Sequence, residues 1–121
     1  MKFDFEKFIS IASRDVGYNP EAKEQFLKMA RQLAKLTADA LGLSASERDI
    51  RVNKAGIAVS GEVTLHSDSL YVQFGQSMMG DTFLCRSCKG RKDYTGGMNN
   101  FYRWGNLRDF NKFIEFLKWL S

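Results

Sequence analysis

Ile57-Ala58-Val59-Ser60-Gly61-Glu62-Val63-Thr64-Leu65-His66, then Ser67-Asp68, then Leu70-Tyr71-Val72-Gln73-Phe74-Gly75: this stretch decides the fold. Ile57, Val59, Val63 and Leu65 alternate with Ala58, Ser60, Glu62, Thr64 and His66. A period of two puts successive side chains on opposite faces of a strand, one dry and one wet. Leu70, Val72 and Phe74 repeat the pattern after a turn-forming Ser-Asp pair, which makes the two runs a β-hairpin. Working outward, Asp49 to Asn53 is a short strand before the turn Asn53-Lys54-Ala55-Gly56, and Thr82 to Cys88 is a fourth strand after a connection at Ser77 to Gly80.

Helical periods flank this block. Phe5, Phe8, Ile9 and Ala12 recur at i, i+3, i+4 and i+7 within Phe3 to Ala12. Asn19-Pro20-Glu21 is a helix start, with a capping side chain, proline at the first position and an acid in the first turn. That helix should run from Pro20 to Leu41, closed by Gly42. Asn106 should cap a final helix, Leu107 to Leu120, whose core face is Phe110, Phe113, Ile114 and Leu117. Short consecutive connections favour an α+β domain of residues 1–121: two N-terminal helices, a four-stranded antiparallel meander, a long Gly-rich loop, and a C-terminal helix packed on the sheet.

Composition narrows the function classes. A chain of 121 residues with 44% hydrophobic and 26% charged residues has room for one ordinary globular core. No apolar run approaches the ~20 residues of a membrane-spanning helix. The N-terminal Met-Lys-Phe-Asp-Phe-Glu-Lys carries acids where a signal peptide needs an apolar stretch. The two cysteines, Cys85 and Cys88, exclude a disulfide scaffold and point to the cytoplasm. Their CxxC lacks a second ligand pair for zinc, and residues i and i+3 of a strand face opposite ways. Buried thiols are expected, and no metal or cofactor.

The net charge of +4 is unevenly placed. Between Arg86 and Arg108, Arg86, Lys89, Arg91, Lys92, Arg103 and Arg108 face a single acid, Asp93. Most of these cations lie in or beside the aperiodic stretch Lys89 to Gly105, which also holds Tyr94, Gly96, Gly97, Asn99, Asn100, Phe101, Tyr102 and Trp104. Loops of this length in compact domains are usually functional or disordered, and the rings argue for order. Glycines let backbone N–H groups approach an anion, Arg and Lys neutralise phosphate, and aromatic faces stack on bases. The expectation is a binding module for a phosphate-bearing ligand, nucleic acid before free nucleotide. Arg86, Lys89, Arg91, Lys92 and Arg103 would contact phosphate, Tyr94 and Tyr102 would stack, and Asn99 and Asn100 would hydrogen-bond. No Walker loop, Rossmann fingerprint or RNA-recognition aromatic signature is present. The bland alternative is a structured connection whose charge serves solubility. The run Arg86 to Gly97 resembles small accessory proteins of phages and plasmids, a likeness that implies action on nucleic acid or nucleotide signals.

Two further readings stand beside this one. Strand alternation places Glu62, Thr64 and His66 on the outer face, with Tyr71, Gln73 and Arg86 alongside. His66, the single histidine, could then be the base of a metal-independent ribonuclease, with Arg86 or Lys89 stabilising the phosphorane and Tyr71 or Glu62 as the acid. Alternatively, the protein is an interaction or inhibitor module. Phe116 and Trp119 fall off the core face of the last helix, and the second helix is apolar on more than one side. Those surfaces either form a homodimer or are buried within one chain.

Overall fold

Capping side chains set where the helices begin. In the computed structural model, which describes residues 2–14, 19–54, 61–76, 81–91 and 97–121, Asp4 Oδ1 accepts from the backbone N–H of Lys7 at 3.0 Å. Helix α1 therefore starts at Phe5 and runs Phe5–Ala12, two residues later than the hydrophobic period alone implies. Asn19 Oδ1 accepts from Glu21 and Ala22, each at 3.1 Å, and opens α2, Pro20–Ala40. Gly42, at φ 75, closes it: Gly42 N donates to Asp39 O and Leu43 N to Ala38 O, each at 3.0 Å. This Schellman pairing needs the left-handed backbone that glycine adopts without strain.

Among the described residues the sheet has five antiparallel strands in the order β1-β2-β3-β4-β5, one more than the alternation pattern reveals. They are β1 Arg48–Asn53, β2 Glu62–Ser67, β3 Leu70–Gly75, β4 Thr82–Ser87 and β5 Asn100–Arg103. The fifth lies inside the stretch expected to be loop. Four residues are too few to display a period. Pairing with β4, from Thr82↔Arg103 to Cys85↔Asn100, is what makes them a strand. The expected strand residues Ile57 to Ser60 and the connection Ser77 to Gly80 lie outside the described residues.

The last helix begins later than the expected Leu107. Trp104–Arg108 forms a 3-10 turn, and α3 runs Phe110–Leu120 with Asp109 as its cap, accepting from Lys112 N at 3.2 Å, where Asn106 was expected. In a 3-10 turn residues i and i+3 eclipse. Here they are Trp104 and Leu107, both fully buried, so the core holds the turn down and delays the helix.

All three helices join one hydrophobic core with the inward strand residues Val63, Leu65, Val72, Phe74, Phe83 and Cys85. Trp104 sits at its centre, 4.4 Å from the Phe83 ring and edge-on to Phe8 and Phe26 at 5.4 and 6.0 Å. Arg108 pairs with Glu6 at 2.5 Å and ties this turn to α1. Among the described residues, the opposite face of the sheet contributes none of the side chains of this core. None of the described helices is long and apolar enough to cross a membrane.

Candidate functional site: the outer face of the sheet

Strand register builds the outer face in rows. Asp49 pairs with His66, His66 with Tyr71, and Tyr71 with Arg86, so the expected constellation of His66, Tyr71 and Arg86 assembles as one row. The next row is Arg51, Thr64, Gln73, Leu84 and Phe101. Beyond it Glu62 lies opposite Asn53 and Gly75, and Arg103 opposite Thr82. Glu62 Oε1 accepts from Asn53 Nδ2 at 3.4 Å. Arg51, Phe101 and Arg103 are exposed, and Tyr71, Gln73, Leu84 and Arg86 are half-buried. On this face Phe101 and Arg103 stand on β5, Arg86 on the adjacent β4, Tyr71 on β3, and Arg51 on β1 at the opposite edge.

The end of this face near His66 is covered. After β4 the chain folds back over the β2–β3 hairpin. Cys88 N donates to Ser69 O at 3.0 Å, Cys88 Sγ donates to Ser67 O at 3.4 Å, and Arg91 Nε binds Asp68 Oδ1 at 3.2 Å. His66 Nε2 lies 3.1 Å from Gly90 O. A carbonyl only accepts, so Nε2 carries the proton. The Tyr71 ring stands edge-on to the imidazole at 5.3 Å, and 5% of His66 is exposed. Burial lowers the His66 pKa below its ordinary value, against the opposing effects of the Gly90 carbonyl and Asp49. The imidazole is a neutral, enclosed fastening for the start of the connection.

The return of that connection is equally constrained. A Cβ on Gly97, at φ 75, would sit 2.6 Å from the Ser87 carbonyl oxygen, so only glycine fits against the end of β4. Asn100 Nδ2 then donates to Met98 O at 2.9 Å as β5 begins.

The expected phosphate and base contacts are distributed unevenly. Arg86 and Arg103 lie on the outer face, while Lys89 and Asn99 are exposed on the connection. Arg91 is engaged by Asp68 and, at 3.9 Å, by Asp49. Asn100 is taken up by the Met98 carbonyl. Lys92 and Tyr94 lie outside the described residues. Tyr102 turns inward, with its ring 4.9 Å from Phe113, 5.1 Å from Phe116 and 5.8 Å from Phe83, and burial raises its pKa. Its neighbour Phe101 takes the outward position. Phe101 and Arg51 were missed in the sequence. Phe101 gave no signal because its strand did not read as one; Arg51 could have been found from its alternation with Ile50 and Val52.

The remaining candidates are structural or peripheral to this face. Cys85 is fully enclosed, its thiol pKa driven far upward by burial, and Cys88 lies beyond the strand. The broad apolar stripe of α2 is covered within the chain: Phe26, Leu27, Ala30, Leu33, Ala34 and Ala38 all join the core. Trp119 is 76% exposed and its ring lies 6.1 Å from that of Phe116. Comparison with family models, curated proteins and solved structures gives no match, so the site is read from its own geometry.

Proposed function

We propose that this protein is a binding module for single-stranded nucleic acid, which lies across the outer face of the sheet and is bordered by the basic connection between β4 and β5. The observation that carries the reading is the row shared by Phe101 and Arg51, with Tyr71 and Arg86 in the row beside it and Arg103 two residues from Phe101. An exposed ring offers a stacking face for an unpaired base, worth about 1–3 kcal/mol per base. Arg103 on the same strand and Arg86 on the adjacent one would neutralise the phosphates beside that base, and Arg51 those that reach the far edge of the sheet. Duplex DNA hides its base faces, so it should bind this platform less well. The enclosed His66, with one ring nitrogen committed to Gly90, favours binding over acid–base cleavage.

Fluorescence anisotropy of labelled single-stranded RNA, single-stranded DNA and duplex DNA at two salt concentrations tests this, with a denaturing gel of the same samples. Single strands should bind intact. With three arginines on phosphate, log affinity should fall with log salt at a slope of about −2. Phe101→Ala should weaken binding about tenfold, within the range expected of one stacked base. Equal affinity of Phe101→Ala and the parent protein would remove the sheet face from the account. Shortened RNA that stays intact with His66→Ala would establish the ribonuclease reading instead.

A further inference from the structure

On the helix side of the sheet, β1 and α2 leave an open groove of about 730 Å³. Leu27 and Val52 form its floor, and Lys23, Lys28, Arg31 and Lys54 line it against one acid, Glu24. Val52 points inward from β1, opposite Val63, yet is 43% exposed because no described side chain covers it. β1 is also an outermost strand, and no described strand pairs with its far edge. Alternate residues of such an edge direct N–H and C=O groups outward, ready to pair with another extended chain.

We propose that this groove takes an acidic, extended peptide segment of a partner protein, which adds as a strand to β1 and sets an apolar side chain on Leu27 and Val52. The three features together select that occupant. An edge that no described strand pairs calls for a backbone with N–H donors and C=O acceptors in register, which a phosphodiester chain lacks. The floor calls for an apolar side chain, and the rim for carboxylates. Strand addition of this kind takes affinity from main-chain pairing and specificity from alternate side chains. The surface lies across the sheet from the outer face, so the proposal stands apart from the nucleic-acid reading.

The test uses the full chain and a set of short fluorescent peptides in which Glu or Asp alternates with Val, Ile, Leu or Phe. At least one should bind, more weakly at high salt. Lys28→Glu with Arg31→Glu should weaken it at least tenfold, and Lys28→Gln with Arg31→Gln less so; both pairs are exposed helix positions that tolerate the change, as circular dichroism would verify. Methylating alternate backbone nitrogens of the peptide should abolish binding, whereas Phe101→Ala should leave it unaltered. The proposal is overturned if no acidic peptide of the set binds, or if lysine-bearing versions bind as well. It is likewise overturned if the methylated peptide or the charge-reversed protein keeps full affinity. Binding of an oligonucleotide that the charge reversal abolishes would make the groove a nucleic-acid contact instead.

Discussion

The two faces of one sheet use the same five strands in opposite ways. Inward residues Val63, Val72, Phe74, Phe83 and Cys85 are fully buried beneath three helices, where tight packing ties each side chain to its neighbours. Outward residues Arg51, Tyr71, Arg86, Phe101 and Arg103 have no described helix over them, and they carry rings and guanidinium groups rather than aliphatic side chains. Burial and exposure are separated by a single-residue step along each strand, so the core and the proposed binding face share the same strands. Tyr102 and Phe101 show it most directly: adjacent aromatics, one locked against Phe113 and the other presented to solvent.

Removing an inner side chain should have the largest effect on folding. Phe83→Ala opens a cavity against Trp104, Phe74 and Phe113 and should cost about 3–5 kcal/mol in urea unfolding. A cost below about 1 kcal/mol would mean the core is not packed as described. Gly97→Ala comes next, because it meets both a strained φ and the Ser87 carbonyl; about 1–3 kcal/mol is expected. A neutral result would release the connection from β4.

A smaller effect is expected from pH. The folded His66 pKa lies below the unfolded value of about 6.5, so the unfolded chain binds more protons between those two values. The histidine contribution is therefore fully favourable above the unfolded value and is lost as pH falls toward the folded one. Urea unfolding on either side of pH ~6.5 should show stability rising with pH, and His66→Gln should reduce that rise. An unchanged slope would place the imidazole in solvent. Phe101→Ala should have the smallest effect on stability, within about 0.5 kcal/mol, while weakening oligonucleotide binding. A large loss of stability would erase the distinction between the faces.

Much of this was legible in residues 62–75, because alternation over a whole hairpin is a local signal. The same alternation places His66, Tyr71 and Arg86 on one face, and the strand register sets them in one row. The helix starts at Asn19 and the stop at Gly42 were equally local, since caps act within one turn. Phe101 was not legible, because a four-residue strand has no period of its own. Nor was the burial of His66, which depends on a carbonyl 24 residues away.

The sequence by itself determined the α+β class, the antiparallel hairpin, the inward set of Val63, Leu65, Val72 and Phe74, and a surplus of positive charge after β4. These follow from hydrophobic period and capping, which operate over neighbouring residues. The tertiary structure alone decided that β5 exists, that Phe101 rather than Tyr102 faces out, and that Asp109 begins α3. It also decided that β1 stands at the edge of the described sheet, beside a groove that no described side chain covers. Each of these turns on which distant strand or ring a residue meets, and pairing across the sheet is a non-local interaction that no short window of sequence contains.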